Sequence, residues 1–226
     1  MDYLAAIIPA RLEDKLLPQK NIFPFGDSNL LIHKIRQLKK VKQISQIVVS
    51  SENDYILDLA QSESVVALKR PDEYSKIGAS FGNFVEHIAR QISAEHILWA
   101  CVTSPLVDTA NYEEAIRLYI KKLQEGYDSL ITVQRIRRFL LDDNGPLNFR
   151  LSNKYKDKNE LAELYEFTNG IVLAPRLSMV KWKYNWGVLP YKLELDRRTT
   201  IDICDRYDYE FAQFLFSNES IKGGSR

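Results

Sequence analysis

The amino-acid sequence predicts an α/β fold in which helices flank a mostly parallel central sheet. Short apolar runs of strand length alternate along the chain with longer segments that have the period of an amphipathic helix. Such alternation builds a parallel sheet through right-handed crossovers. The chain has 226 residues, of which 45% are hydrophobic and 27% charged, so it is long enough to bury the core of one large globular domain.

The first part of the chain alternates strand and helix signals. Residues 4–8 are apolar and predict a buried strand. Apolar residues at 30, 31, 32, 35, 38 and 41, with basic residues between them, predict a helix. Residues 44–50 predict a second strand, and Glu52 or Asn53 can begin the helix that follows. Residues 65–68 predict a third, short strand.

The rest of the chain continues the alternation around one irregular segment. Helices are expected at about 79–92, 111–124 and 176–181, before a final helix, and strands at 96–102, 129–133, 167–173 and 188–195. Residues 134–166 are basic, aromatic and rich in turn residues, and they predict an excursion from the core. We therefore expect a single domain over residues 1–221 and a disordered tail at 222–226.

The most informative stretch is AIIPARLEDKLLPQKNI, residues 6–22. The first predicted strand ends at Pro9, and the loop that follows carries Arg11, Lys15 and Lys20. Ligands of α/β proteins bind at the carboxyl edge of the sheet. Because this loop brings three cations to that edge, the sequence predicts a site for a polyanion.

Composition excludes several classes of protein. The 31 basic residues are balanced by 30 acidic ones, so the marked basic excess of nucleic-acid binders is missing. No apolar run approaches the roughly 20 residues of a membrane helix, and the N-terminus has no signal-peptide pattern. Cys101 and Cys204 both lie in apolar segments, which favours a reducing compartment. We expect a cytoplasmic protein without a nucleic-acid or membrane partner.

The basic stretch also resembles a known enzyme family. Its pattern I-I-P-A-R-x-x-x-K-x-x-P-x-K-N is similar to the opening of the acylneuraminate cytidylyltransferases (CMP-N-acetylneuraminic acid synthetases), and the chain is identified as a divergent member. The matching residues are Pro9, Ala10, Arg11, Lys15, Pro18, Lys20 and Asn21. The family usually has Ser at the position of Asp14. The resemblance implies a Rossmann-like nucleotidyltransferase domain that couples CTP to an acidic sugar and releases pyrophosphate.

Three later segments carry the same resemblance. The matching residues are Arg70, Pro71, Ala79 and Ser80 in the first segment, Thr103, Ser104, Pro105 and Leu106 in the second, and Asn169 and Gly170 in the third. The first segment has Ile77 and Gly78 where the family has Asp and Thr. The second has Cys101 and Val107 where the family has Gln and Arg, so two polar groups of the pocket are missing.

Other readings of these residues remain open. Arg70 could be a solvated arginine before a turn proline. Ser80, Thr103 and Asn169 could each cap a helix or close a turn.

The resemblance implies a Mg²⁺ ion held by two aspartates that lie two residues apart on a strand. Asp202 stands at the first position, in an apolar segment that we expect to be a strand, but Cys204 stands at the second. A thiol is a soft ligand that does not suit Mg²⁺. Asp205 would point to the other face unless the strand has already ended. Asp202 and Asp205 are therefore the candidate metal ligands.

The resemblance assigns a role to each candidate. Catalytic roles fall to Arg11, Lys20 and Asp202; nucleotide binding to Arg11, Lys15, Lys20, Asn21, Arg70, Ser80, Thr103 and Ser104; and substrate binding to Asn169 and Gly170. The expected partners are CTP, a sialic-acid-like nonulosonate and a second copy in a homodimer. Two alternatives remain: a cytidylyltransferase for another acceptor, such as an octulosonate or a phosphonate, or a nucleotide- or sugar-binding homologue that has lost turnover.

Overall fold

The computed structural model describes residues 3–14, 16–76, 78–152 and 157–223. The strands are β1 (Leu4–Pro9), β2 (Pro24–Phe25), β3 (Ser28–Asn29), β4 (Gln46–Ser51), β5 (Val66–Lys69), β6 (His96–Trp99), β7 (Ser129–Arg135), β8 (Leu141–Asp142), β9 (Gly145–Pro146), β10 (Tyr165–Pro175) and β11 (Pro190–Glu194). The helices are α1 (Leu30–Lys39), α2 (Asp54–Ser62), α3 (Phe81–Gln91), α4 (Thr109–Gln124), α5 (Arg176–Trp182) and α6 (Arg206–Gly223).

Within the described ranges, a seven-stranded sheet has the order β5-β4-β1-β6-β10-β7-β11. Strands β5, β4, β1 and β6 are parallel neighbours, and β7 pairs with β11 in parallel, whereas β10 runs antiparallel between β6 and β7. The predicted α/β fold with a mostly parallel sheet is confirmed. Because β10 is reversed, its first residues lie at the same edge as the carboxyl ends of β1 and β6.

Helices cover both faces of the sheet because the central strands are apolar on both sides. Leu4, Ala6 and Ile8 of β1 face a core that includes residues of α1, α2, α4 and α6. Ala5 and Ile7 face the opposite core, which includes residues of α3 and α5. All five side chains are buried. Burial of one such Leu or Ile contributes about 1.5–3 kcal/mol, so this double-sided packing fixes β1 at the centre of the molecule.

Side-chain caps start the helices close to the predicted positions. Asn53 accepts a hydrogen bond from the backbone N–H of Ile56 at 3.3 Å, which makes it the cap of α2. Asp108 and Asn111 form a reciprocal capping box at the start of α4. No helix in the described ranges is long and apolar enough to cross a membrane.

Three segments differ from the expectation. Gln134 and Arg135 pair with Glu166 and Tyr165, so β7 and β10 extend into the predicted excursion, which leaves the sheet only over the residues between them. The strand expected around Asp202 is wrong, since residues 201–204 are an irregular connection between β11 and α6. The predicted tail is partly helical, since α6 extends to Gly223, and residues 224–226 lie outside the described ranges.

Candidate active site

A cavity of about 1250 Å³ opens at the carboxyl edge of the parallel strands. Its walls come from the loops after β1, β5 and β6, from the start of β10, from the start of α3 and from the loop after α5. The predicted site residues that line it are Arg11, Lys20, Asn21, Arg70, Ser80, Thr103 and Asn169. Lys15 lies outside the described residues.

The basic loop after β1 is folded around a carboxylate. Asp14 Oδ2 lies 3.2 Å from Arg11 Nη2 and 3.2 Å from Lys20 Nζ. Asp14 Oδ1 accepts hydrogen bonds from the backbone N–H groups of Leu16 and Leu17. Burial raises the pKa of Asp14, but these N–H groups and the Lys20 charge outweigh it, so the pKa lies below its usual value. The two cations therefore converge on one anionic oxygen at the cavity wall.

Asn21 and Lys20 fix the ends of the same loop. The buried Asn21 amide donates to the carbonyl of Arg11 at 2.8 Å, and Gln19 adopts a left-handed conformation with φ 62° just before the 3₁₀ turn that begins at Lys20. Lys20 Nζ also donates to the carbonyl of Ile203 at 3.2 Å. The basic loop is thus tied to the segment that carries Asp202.

Arg70 joins three loops at the base of the cavity. Its guanidinium donates to the carbonyls of Ser50 and Ala10 and forms an ion pair with Glu52 at 2.7 Å. Its side chain is only 4% exposed, so the solvated reading is wrong. Burial raises the pKa of Glu52, but the hydrogen bond from the Ser75 hydroxyl and the charge of Arg70 have the larger, opposite effect. The pKa of Glu52 therefore lies below its usual value, and Glu52 is ionised at neutral pH. A nucleotide contact by Arg70 stays a prediction.

Helix α1 holds the turn after β6 from behind. Lys34 Nζ donates to the carbonyl of Ser104 at 2.9 Å and to the hydroxyl of Tyr112 at 2.8 Å. Gln37 Nε2 donates to the Pro105 carbonyl at 2.8 Å. The Ser104 side chain is buried and does not line the cavity, and its hydroxyl has no hydrogen-bond partner among the described residues. The turn therefore presents Thr103 to the cavity and keeps Ser104 behind it.

Lys34 was not among the sequence candidates. Its side chain is fully buried, and burial lowers its pKa to about 7 although Cys101 and Asp108 act in the opposite direction. The helical spacing contained a signal, because position 34 lies three and four residues from the buried Leu31, Leu30 and Leu38. A lysine in the middle of an apolar stripe needs internal partners, since an unpaired buried cation is costly.

Asp202 lies beside the turn and the basic loop. The backbone N–H of Ile203 donates to the Thr103 carbonyl at 2.8 Å. Burial raises the pKa of Asp202, and a hydrogen bond from Thr103 and the charge of Lys20 only partly oppose this. Its Oδ1 is buried without a hydrogen-bond partner among the described residues. An orphaned carboxylate oxygen is a ligand type that suits Mg²⁺. Asp202 is not among the residues that line the cavity, and Mg²⁺ binding by it stays a prediction.

Asp205, the second candidate metal ligand, and Cys204, which stands where the family has its second aspartate, have different surroundings. Asp205 Oδ1 accepts from the backbone N–H of Asp208, and Asp208 Oδ2 accepts from the N–H of Asp205, which forms a reciprocal cap at the start of α6. Cys204 is exposed and lines the cavity. No group of three or more metal-ligating side chains occurs among the described residues. Metal binding by Asp205 stays a prediction.

The start of β10 is distorted at the cavity. Asn169 has a left-handed conformation with φ 55°, and the pairing register shifts between Phe167 and Val172. This bulge brings Phe167 and Asn169 to the cavity wall. A Cβ atom on Gly170 would lie 3.0 Å from Val107 Cγ2, so a larger residue at this position would require the Val107 side chain to shift. Gly170 does not line the cavity, and a substrate contact by it stays a prediction.

Ser80 and six aromatic residues also line the cavity. The Ser80 hydroxyl accepts from the backbone N–H of Asn83, so the capping reading is correct, and a nucleotide contact by Ser80 stays a prediction. The aromatic wall, as we call it, comprises the aromatic side chains that line the cavity, which are Tyr74, Phe81, Phe84, Trp99, Phe167 and Tyr184. Sequence reasoning missed it because its members lie on segments that are far apart in the sequence.

Comparison with known proteins agrees with this geometry. A sequence profile of the cytidylyltransferases matches residues 5–170. The chain is 28% identical over 217 residues to N-acylneuraminate cytidylyltransferase of Escherichia coli O18:K1:H7, a match that covers 92% of this chain and 51% of that protein. It is 24% identical over 221 residues to pseudaminic acid cytidylyltransferase of Campylobacter jejuni strain 81-176, with 93% and 94% covered. The chain thus spans about half the length of the first relative and nearly all of the second.

Solved structures show the same fold at low identity. CMP:2-keto-3-deoxy-manno-octonic acid synthetase complexed with CTP has a TM-score of 0.71 at 11% identity, with 96% of this chain and 99% of that chain covered. A 4-diphosphocytidyl-2C-methyl-D-erythritol synthase from Anaerococcus prevotii has a TM-score of 0.63 at 13% identity, with 95% and 98% covered. The resemblance to the acylneuraminate cytidylyltransferases is confirmed. Because the profile covers most of the chain, including the basic loop, the turn after β6 and the first half of β10, the chain belongs to the cytidylyltransferase family.

Proposed function

We propose that this protein transfers CMP from CTP to an acidic sugar and releases pyrophosphate. The observation that carries the proposal is the convergence of Arg11 and Lys20 on one anionic oxygen at the mouth of the parallel sheet, within the segment matched by the family profile. An anion already occupies the point between these cations, and a phosphate oxygen of CTP has the same charge. The names of the relatives support an acidic acceptor of the sialic type.

The nucleotide is expected to lie across the loops after β1, β5 and β6. Arg11 can bind phosphate oxygens with two N–H groups, while Lys20 and Lys15 act as point charges. Asn21 contributes by holding the Arg11 backbone. Arg70, Ser80, Thr103 and Ser104 complete the nucleotide set by resemblance. Nucleotidyl transfer depends mainly on positioning and charge stabilisation, which these groups would supply.

Asp202 is the residue that we expect to hold Mg²⁺. Mg²⁺ commonly takes one or two carboxylates together with substrate phosphates and water, so Asp202 suffices when CTP supplies the remaining oxygens. The bound ion would neutralise the negative charge that develops on the leaving pyrophosphate. Asp205 remains the second candidate ligand.

The acceptor is expected on the β6 and β10 side, near Asn169 and Gly170. A hydroxyl oxygen of the sugar attacks the α-phosphorus, and the bond from that phosphorus to the bridging oxygen of pyrophosphate breaks. The hydroxyl proton is released to solvent as the new carbon–oxygen–phosphorus link forms. Arg11 and Lys20 would stabilise the charge on the phosphates during this exchange.

We also propose a homodimer and a cytoplasmic location. Leu141, Leu147 and Leu151 of the excursion are 67%, 55% and 82% exposed, as expected for a surface that packs against a second copy. The described cysteines Cys101 and Cys204 are free, which favours a reducing compartment. Light scattering during gel filtration tests the dimer, and a mass of about 26 kDa in solution would contradict it.

The proposed reaction is tested by pyrophosphate release with Mg²⁺. CTP, UTP, ATP and GTP should each be offered with a panel of nonulosonate, octulosonate and phosphonate acceptors. We expect release from CTP with an acidic sugar. Binding of CTP without release, for every acceptor and divalent metal, would instead indicate a homologue without turnover.

A matched pair of variants connects the reaction to the basic loop. Arg11→Ala should raise the Kd for CTP at least tenfold because phosphate charge is left uncompensated, at roughly 1.5–3 kcal/mol for a charged hydrogen bond. Arg117→Ala, on the exposed surface of α4, removes an arginine that forms an ion pair with Glu114 and does not line the cavity, and it serves as the control. Equal CTP affinity for both variants would remove the basic loop from the site.

A further inference from the structure

The carboxylate of Asp14 is enclosed by donors from its own loop. Its Oδ2 lies 3.2 Å from Arg11 Nη2 and 3.2 Å from Lys20 Nζ. Its Oδ1 accepts from the backbone N–H of Leu16 at 3.0 Å and from that of Leu17 at 3.2 Å. The Asp14 side chain is only 10% exposed. Cationic side chains and neighbouring backbone N–H groups are also the donors that bind phosphate in proteins.

The donors around Asp14 face the cavity in which the phosphates of CTP are proposed to bind. Arg11, Asp14, Leu16 and Lys20 all line it. A phosphate group that enters from the cavity therefore reaches the same N–H groups that now hold the carboxylate. Because like charges repel at contact distance, the phosphate and the carboxylate compete for these donors.

The contacts of Asp14 are local. Among the residues that the structure describes, all its hydrogen-bond and ion-pair partners lie between Arg11 and Lys20. The loop itself is held by other contacts, since Leu17 is buried and Asn21 donates to the Arg11 carbonyl at 2.8 Å. The carboxylate can therefore turn away from the cations while both ends of the loop stay attached to the core.

The charge of Asp14 distinguishes this chain from the family pattern, which has Ser at the same position. A serine hydroxyl is neutral, so it leaves the charge of the two cations available to a ligand. Burial raises the pKa of Asp14, but the backbone N–H groups and Lys20 have the larger, opposite effect, so the carboxylate is ionised at neutral pH. The cations of this loop are thus partly neutralised before any ligand arrives.

We propose that Asp14 is an internal competitor for the phosphate groups of the reaction, which weakens the binding of the pyrophosphate product and favours its release. This inference rests on the proposed binding of CTP phosphates at the basic loop. CTP displaces the carboxylate when it binds, and the carboxylate returns to Arg11 and Lys20 when pyrophosphate leaves. An ion pair of this exposure changes an affinity by about twofold to fivefold. Cytidine has no phosphate, so its affinity should not depend on Asp14.

Calorimetry with inorganic pyrophosphate, at one fixed Mg²⁺ concentration, tests the competition without any need for turnover. Asp14→Asn keeps the shape of the side chain and one oxygen that can accept from the two N–H groups, but it removes the charge. We expect the variant to lower the Kd for pyrophosphate about twofold to fivefold and to leave the Kd for cytidine unchanged. A carboxylate that only shapes the loop would help the ligand to bind. An unchanged or higher Kd for pyrophosphate, or an equal gain for cytidine, would therefore overturn the inference.

Two further variants support the measurement. Asp14→Ser removes the same charge through a different side chain and should show the same gain, so one unstable variant does not decide the result. Thermal unfolding checks that each variant is folded. Asp27→Asn removes an exposed carboxylate that pairs with Arg36 and does not line the cavity. This control should retain the wild-type Kd for pyrophosphate.

Arg11→Ala separates this inference from the proposed function. If Arg11→Ala binds pyrophosphate as tightly as the wild type, the phosphates bind elsewhere, and both the proposed site and the inference fail. If Arg11→Ala weakens binding while Asp14→Asn has no effect, the phosphate site is supported and the inference alone is wrong. In assays of turnover, pyrophosphate should inhibit Asp14→Asn at a concentration about twofold to fivefold lower than for the wild type. Equal inhibition would contradict the return of the carboxylate.

Discussion

The buried Lys34 should make the stability of this protein rise with pH above neutrality. Its ammonium group is enclosed by the Ser104 carbonyl and the Tyr112 hydroxyl, and burial lowers its pKa to about 7 from the ordinary 10.5. Between these two values the unfolded chain holds a proton that the folded protein has released. Stability therefore increases with pH across this window, because the unfolded state binds more protons.

The size of the effect follows from the shift. Each unit of pKa difference corresponds to about 1.4 kcal/mol, so the whole window from about pH 7 to 10.5 is worth roughly 5 kcal/mol. Between pH 7.5 and 9.5 the expected gain in the free energy of unfolding is about 2.5 kcal/mol. In the folded protein the neighbouring groups titrate outside this range, since burial raises the pKa of Cys101 to about 12 and lowers that of His33 to about 4. The same is true of Tyr112, whose pKa burial raises well above its usual value. The unfolded chain ionises Cys101 near its ordinary pKa of 9.0, so the contribution of Lys34 has to be measured as a difference from a variant that keeps Cys101.

Urea unfolding of the wild type and of Lys34→Met measures this contribution. Methionine has a similar unbranched shape but no proton to exchange, so the wild type should gain about 2.5 kcal/mol relative to this variant between pH 7.5 and 9.5. Lys42→Met removes an exposed lysine just beyond the same helix and should run parallel to the wild type. If Lys34→Met also runs parallel to the wild type, the reasoning about the buried ammonium is refuted.

Four further substitutions test other contacts. Arg70→Lys should lower the free energy of unfolding by about 2 kcal/mol, because lysine cannot bridge three loops; equal urea midpoints would contradict this. Gly170→Ala should cost about 1–3 kcal/mol through its clash with Val107, and Val107→Ala in the same chain should restore most of that loss in thermal unfolding. Asp14→Ser should tighten CTP binding about twofold to fivefold, because it frees the two cations. Calorimetry should show that this gain in affinity becomes smaller at high salt. Cys204→Asp should lower the Mg²⁺ concentration for half-maximal pyrophosphate release roughly tenfold, and an unchanged requirement would show that its carboxylate does not reach the ion.

Sequence reasoning succeeded where the signal was local. The strands and helices were predictable because the apolar period of each element reflects the core that it faces. Arg11, Lys20 and Asn21 were found together because they lie within one loop, and a short loop cannot place its members far apart. Asn53 was identified as a helix start for the same reason, since a cap acts on the next three residues.

The remainder depended on contacts between distant segments. Arg70 is buried only because the ends of β1 and β4 and the side chain of Glu52 meet around it. Asp202 does not lie in a strand, because the chain after β11 turns towards Thr103 and does not pair with the sheet. The space at Gly170 is limited by the side chain of Val107, which lies 63 positions earlier in the sequence. Contacts between such distant segments cannot be predicted from a local sequence pattern.

The unequal surroundings of the two cysteines have a practical consequence. A thiol reacts as the thiolate, and burial raises the pKa of Cys101 to about 12, so this group stays protonated under labelling conditions. Burial also raises the pKa of Cys204, but its side chain is exposed at the cavity wall, whereas that of Cys101 is only partly exposed. A maleimide fluorophore should therefore attach to Cys204 first, and the unsubstituted chain carries a single reporter position at the rim of the site. Changes in its emission would follow ligand entry directly, before any chemistry takes place.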